Sequence, residues 1–141
     1  MDPEHPVVKL CAEGARAEME GDAERAAALF NRAWEVAGDD YHACMAAHMV
    51  ARYQVTAEDT LRWNEVALER ADAVGDERVE GFYPSLLLNL GYSHEMLGDL
   101  DQARTCYEEA ARRADRLPRD PYGDMVCGGI AAGLGRTRAR D

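Results

Sequence analysis

The segment from Tyr41 to Val50, YHACMAAHMV, contains two histidines, one cysteine and two methionines, all of which can bind metal ions. Cys44 and His48 lie four residues apart, and so do Met45 and Met49. Residues at this spacing share one face of an α-helix, and imidazole and sulfur ligands on one face can hold copper or zinc. The segment is therefore either a metal site or one helix of a larger repeated structure.

Catalytic patterns elsewhere in the chain are incomplete. His94 and Glu95 begin an HExxH zinc-protease motif, but Gly98 stands where the second histidine is required. The glycine-rich segment 128–135 is neither preceded by a strand pattern nor followed by the Lys-Ser or Lys-Thr of a phosphate-binding loop. The sequence therefore predicts a protein that is not an enzyme and has no catalytic residues and no cofactor.

Composition limits the classes of partner and compartment. The 141 residues are 47% hydrophobic and carry a net charge of −11, which disfavours nucleic acid and anionic membrane surfaces as partners. No apolar run reaches the roughly 20 residues of a membrane span, and the N-terminus lacks the basic-then-apolar pattern of a signal peptide. The four cysteines form no CxxC pair. These features predict a folded cytoplasmic protein with reduced thiols, with a disulfide-linked secreted domain as the alternative.

Helical periodicity and its interruptions predict an all-α fold. Apolar and small residues recur at helical spacing, and four Gly-Asp pairs interrupt the pattern: Gly21-Asp22, Gly38-Asp39, Gly75-Asp76 and Gly98-Asp99. Glycine can end one helix in the left-handed conformation, and aspartate can cap the next helix. We expect helices at about 6–20, 23–37, 40–53, 57–74, 79–97, 100–116 and 121–137, with Pro84 near the true start of the fifth or kinking it.

The helices recur as pairs with a common pattern of small and aromatic positions. The series of the first pair is Leu10, Gly14, Ala17, Gly21, Ala26, Phe30 and Ala33, and that of the third is Leu87, Gly91, His94, Gly98, Ala103, Tyr107 and Ala110. The corresponding series in the middle pair begins with Cys44, 34 residues after Leu10. It has His48 and Asn64 where the other two series have Gly and an aromatic residue. The clearest segments are GDAERAAALFNRAWEVAGD and LLLNLGYSHEMLGDLDQARTCYEEAA, which strongly resemble the tetratricopeptide repeat family.

This resemblance implies a right-handed α-solenoid of antiparallel helix pairs, with about seven helices in a single domain, 1–141. The repeats would span about 7–40, 41–75 and 84–117, with an insertion at about 76–83 and a capping helix at about 121–138. At least three stacked pairs are needed because one pair cannot bury its apolar face alone.

The resemblance also assigns the side chains of Tyr41–Val50 to two different faces. Cys44 and His48 would point into the solenoid, whereas His42, Met45 and Met49 would line the concave groove. This divergence argues against a shared metal ion, so no metal site is predicted. The full groove would consist of Val8, Cys11, Glu18, Met19, His42, Met45, Met49, Arg52, Tyr53, Ser85, Leu88, Tyr92, Glu95 and Met96.

A groove of this composition is apolar, rich in methionine and tyrosine, and rimmed by Glu18, Arg52 and Glu95. Such a surface suits an apolar or amphipathic segment of another protein, which predicts a non-catalytic binding scaffold or adaptor. Two alternatives stay open. The groove could take a small ligand or a soft metal in a sensor or accessory protein, or it could be filled by the C-terminal helix or by a second copy in a homodimer.

Overall fold

A computed structural model describes residues 2–138, and all regular structure in that range is helical. The seven α-helices are α1 Pro6–Met19, α2 Ala23–Val36, α3 Asp40–Val50, α4 Ala57–Val74, α5 Tyr83–Met96, α6 Leu100–Arg112 and α7 Pro121–Arg136. Three short 3₁₀ helices, Ala51–Tyr53, Glu77–Phe82 and Ala114–Arg116, join them. The all-α prediction is confirmed, and within each of the two compact units described below consecutive helices pack on each other as in tetratricopeptide-like structures.

The chain forms two compact units, residues 1–74 and 75–141. In the first unit α1 packs on α2 and α3 on α4, with α2 also packed on α3. In the second unit α5 packs on α6, and α7 packs on both. The single domain, the repeat boundaries and the right-handed sense of the solenoid stay predictions.

The Gly-Asp pairs act largely as expected. Each aspartate accepts a hydrogen bond from a backbone N–H at the start of the helix or 3₁₀ helix that it precedes: Asp22 from Arg25, Asp39 from His42, Asp76 from Arg78 and Asp99 from Gln102. Three of the glycines have positive φ, with +79° at Gly21, +64° at Gly75 and +83° at Gly98. Gly38 is not among them, because α2 ends in an extended Ala37 instead.

The predicted start of the fifth helix at residue 79 is wrong. The α-helix begins at Tyr83, and residues Glu77–Phe82 form a 3₁₀ helix. Pro84 therefore lies in the first turn of α5. Its missing N–H costs nothing in that turn, since the first N–H groups of a helix have no partner within the helix.

The third and sixth predicted helices are too long at their C-terminal ends. α3 ends at Val50 rather than at residue 53, and the Gln54 side-chain amide donates to the Val50 carbonyl at 3.1 Å. α6 ends at Arg112 rather than at residue 116. Each α-helix continues as a 3₁₀ helix, which shares its local periodicity and is hard to distinguish from sequence.

Phe30 and the small residues around it form the centre of the first unit. Phe30 is fully buried beside Ala17, Ala26 and Val50. Gly14 makes this packing possible, because a Cβ atom there would lie 2.5 Å from the Phe30 ring. The partly buried residues packed against this cluster are Cys11, Leu29, Trp34, Met49, Tyr53 and Trp63.

Tyr107 occupies the same place in the second unit. It is fully buried, and a Cβ atom would lie 2.8 Å from its ring at Gly91 and 2.5 Å from it at Gly133. The ring thus fills space that glycine leaves open on α5 and on α7. Gly91 and Gly133 therefore allow α5 and α7 to pack closely against the Tyr107 ring.

Candidate functional site

Three contacts define a seam between α5 and α7 in the second unit. The Ser85 hydroxyl is hydrogen-bonded to the Tyr122 hydroxyl, and Gly129 faces the Leu88 side chain. At the other end, Arg136 pairs with the Glu95 carboxylate at 2.7 Å. The contacts follow the same order along both helices, so α5 and α7 run parallel. Three predicted groove residues of the third repeat, Ser85, Leu88 and Glu95, thus contact the C-terminal helix.

Four large side chains remain exposed along this seam. Tyr92 and Met96 of α5 are 52% and 61% exposed, and Tyr122 and Met125 of α7 are 47% and 67% exposed. Tyr92 follows Leu88 by four residues and Met125 follows Tyr122 by three, which places each on the stripe of its helix that meets the other. We call these four residues the exposed strip.

Glu95 closes one end of the seam through a small polar cluster. Its carboxylate accepts a hydrogen bond from the Tyr107 hydroxyl at 2.8 Å and two from the Arg136 guanidinium. The bonds from Arg136, followed by that from Tyr107, lower the pKa of Glu95. Burial is the main cause that raises the pKa of Tyr107, and the bond to Glu95 adds to it. The Arg136 guanidinium also lies 6.0 Å from the centre of the Tyr92 ring.

The predicted groove residues of the first unit are used mostly in contacts within that unit. Glu18 accepts a hydrogen bond from the Tyr53 hydroxyl and pairs with Arg52 at 2.6 Å. Met49 packs against the cluster around Phe30, as do Cys11 and Tyr53. Val8 and Met45 are partly buried, whereas Met19 is 87% exposed.

Burial dominates the chemistry of the cysteines and of His48 in this unit. It raises the pKa of the Cys11 thiol to about 11 and, with the charge of Asp72, that of Cys44 to about 12. Burial and then the charge of Arg52 lower the pKa of His48 to about 4. These thiols therefore stay protonated and His48 stays neutral near pH 7, which suits interior positions better than nucleophilic ones.

His42 belongs to a cluster at the starts of α1 and α3. Its ring stacks on that of His5, with 3.5 Å between centroids and 3° between planes. Its Nδ1 lies 2.8 and 2.9 Å from the two carboxylate oxygens of Asp39. One nitrogen of each imidazole and one Asp39 oxygen all lie within 4.8 Å of one another.

The sequence analysis did not predict that His5 and Asp39 lie beside His42. It considered partners of His42 within the segment Tyr41–Val50, whereas His5 lies at the start of the first predicted repeat. The Asp39-x-x-His42 spacing was the one local signal. It likewise assigned Tyr122 and Met125 to a capping helix without recognising that they border the groove residues of α5.

A family model of the tetratricopeptide repeat matches residues 84–116, which span all of α6 and all but the first residue of α5. The family resemblance is therefore confirmed for one repeat, the third of those predicted. No curated protein and no solved structure matches the chain. A tetratricopeptide repeat supports a role in protein interaction in general terms, and the family is generally non-catalytic.

Among the described residues, none of the helices combines the length and the apolar character that crossing a bilayer would require.

Proposed function

We propose that this protein is a non-catalytic interaction module whose second unit docks an apolar or amphipathic segment of another protein along the exposed strip. The observation that carries the proposal is the exposure of two methionines and two tyrosines at one seam of the matched repeat and its following helix. Methionine adapts to irregular surfaces, and tyrosine offers a large rigid contact area with a polar tip. Both are suited to binding a peptide or helix.

The polar end of the seam supports a preferred orientation of the partner. Glu95 and Arg136 are paired with each other, and Arg136 is 46% exposed. A partner segment with an apolar stretch and one carboxylate could place that carboxylate on Arg136. The apolar stretch would supply most of the affinity and the charge would select the direction.

The first unit is less suited to docking as it stands. Its predicted groove residues Met49, Cys11 and Tyr53 pack against its core, so replacing them would test folding as well as binding. The alternative of a soft-metal site in the groove is not favoured by the packing of Cys11, whose side chain lies against the cluster around Phe30.

The test compares capture of proteins from a lysate of the cell that makes this protein. The bait variants are wild type, Met96→Gln/Met125→Gln, and Val55→Gln as the control. Glutamine keeps the length of methionine and its helix propensity but removes its apolar character. Val55 is 99% exposed and lies outside the strip, so it controls for loss of a surface hydrophobic side chain.

We expect a protein that is retained by wild type and by Val55→Gln and lost from the double variant, with unchanged helicity in all three. Retention by the double variant would contradict docking on the strip. Loss from Val55→Gln as well would show capture through general surface hydrophobicity.

A further inference from the structure

We propose that His5, Asp39 and His42 bind a divalent first-row transition metal ion, with Zn²⁺ as the ion that the ligand set fits. The three residues meet where α1 and α3 begin. His5 is the N-cap of α1, Asp39 is the N-cap of α3, and His42 lies in the first turn of α3. This site is separate from the docking strip and does not depend on the proposed function.

The ligand types and their spacing are those of a three-ligand metal site. Two imidazoles and one carboxylate are common protein ligands of Zn²⁺, and other first-row ions also accept this set. Two ligand atoms of one ion lie about 3 to 4 Å apart, since each bond is about 2.0–2.2 Å long. The ligand atoms here all lie within 4.8 Å of one another, so a change of side-chain conformation without a change of fold would bring them to those separations.

Asp39 can bind the ion without giving up its structural role. Its Oδ1 accepts the hydrogen bond from the His42 backbone N–H that caps α3, at 2.8 Å. Its Oδ2 lies 2.9 Å from His42 Nδ1. The ion would lie between Oδ2 and Nδ1 in place of the proton, and the neutral ring would then carry its proton on Nε2 instead of on Nδ1.

His5 would supply the third ligand after a rotation of its ring. A metal ion binds an imidazole in the plane of the ring, and two parallel rings 3.5 Å apart have no common point in their planes. Rotation about the Cβ–Cγ bond breaks the stack and turns a lone pair toward the ion. His5 Nδ1 at present accepts the Val7 N–H at 3.2 Å, a long bond that is easily exchanged.

The site is accessible to an ion from solvent. The Asp39 side chain is 56% exposed, whereas that of His42 is 14% exposed and its ring is held in place by Asp39 and His5. Water would complete the coordination of the ion on the exposed side. Such a site would link the first helices of the first two predicted repeats.

The test is calorimetric titration of Zn²⁺ into the full chain without any histidine tag, near neutral pH. All proteins carry Cys127→Ser, because the exposed Cys127 thiol could bind zinc by itself. The ligand variants are His5→Asn, Asp39→Asn and His42→Gln. Asparagine caps a helix as well as aspartate does, so the first two variants keep a capping side chain.

Two further variants provide matched controls. Asp22→Asn makes the same change at the N-cap of α2, and His94→Gln removes a histidine from the second unit. Circular dichroism confirms that every variant keeps its helicity.

We expect one Zn²⁺ per chain in the Cys127→Ser parent and in both controls. Each ligand variant should bind at least about tenfold more weakly. The His5 and His42 ring signals in NMR spectra should shift on zinc addition, because the stack opens. Absence of binding to the parent, or equal affinity in the ligand variants and the parent, would overturn the proposal.

Discussion

The two units place different aromatic residues in the same repeat position. Phe30 of the first unit and Tyr107 of the second are both fully buried, and each packs against a glycine of the preceding helix, Gly14 or Gly91. Tyr107 carries a hydroxyl that reaches Glu95. Phe30 has none, and the hydroxyl that bonds to the corresponding Glu18 comes from Tyr53 instead.

Both units share a carboxylate that accepts a tyrosine hydroxyl, and they differ in which position of the chain supplies that tyrosine. Glu18 and Glu95 each accept a tyrosine hydroxyl and each pair with an arginine, Arg52 at 2.6 Å and Arg136 at 2.7 Å. Both carboxylates are only 16–18% exposed, so they need these partners to offset lost hydration. Two different sets of residues therefore compensate the lost hydration of a partly buried carboxylate.

The largest expected effects are at the glycines that contact the two rings. Gly133→Ala and Gly14→Ala each place a methyl group 2.5 Å from a buried ring, so each should lower the free energy of unfolding by about 1–3 kcal/mol. Gly133→Ala should be the more costly, because Gly91 confines the Tyr107 ring from the other helix. Denaturant unfolding, with hydrogen exchange to locate the effect in one unit, provides the measurement.

Gly128→Ala is the matched control for these variants. It lies in α7, and among the described residues the new methyl group would meet no atom within 4 Å apart from its chain neighbours and the backbone of its own helix. It should be neutral or stabilising by up to about 1 kcal/mol, since alanine favours helix more than glycine does. An equal loss of unfolding free energy in Gly133→Ala, Gly14→Ala and Gly128→Ala would show that close contact with the rings is not the cause of the loss.

Removing the tyrosine hydroxyls should have an intermediate effect. Tyr107→Phe and Tyr53→Phe each delete one hydrogen bond to a carboxylate that keeps its arginine, so each should cost about 0.5–1.5 kcal/mol of unfolding free energy. Tyr92→Phe serves as the control, because Tyr92 is half exposed and a surface change of this kind costs little. A loss for Tyr107→Phe without one for Tyr53→Phe would show that the two clusters are not equivalent.

The smallest expected effect is a pH dependence of the second unit. The pKa of Glu95 in the folded protein is lowered by its bonds from Arg136 and Tyr107. A lowered folded-state pKa gives stabilisation that is present above the unfolded-state value, ordinarily 4.5, and is lost as the pH falls through the folded-state value.

Unfolding free energies measured from neutral pH to below that ordinary value should therefore fall more steeply for wild type than for Glu95→Gln. The variant lacks the titrating group but keeps a side chain that can accept the Tyr107 hydroxyl. Parallel curves would show that Glu95 does not contribute to the pH dependence of stability.

Local sequence patterns predicted the helices and the packing of small residues well. Gly14, Gly91 and the aromatic positions follow from a fixed repeat spacing, and the capping aspartates follow from turn chemistry. The start of α5 was misplaced because a 3₁₀ helix resembles the end of an α-helix in periodicity. Pro84 was the residue that located the true boundary.

The candidate sites depend on contacts that no local pattern specifies. The pairing of Glu95 with Arg136, and of His5 with His42, joins residues far apart in sequence, and spacing within one helix does not predict it. Two of the four residues of the exposed strip, Tyr92 and Met96, were predicted as groove residues. Met125 was not, because its helix was expected only to cover an apolar end.

Photo-crosslinking in the cell that makes this protein would detect docking of another protein on the exposed strip without purification. A photoreactive phenylalanine analogue would replace Tyr92, Tyr122 or, as a control, Val55. We predict a discrete crosslinked species from positions 92 and 122 and none from position 55. No crosslink at the two strip positions, with the protein folded, or the same species from all three positions, would show that the strip is not a docking surface.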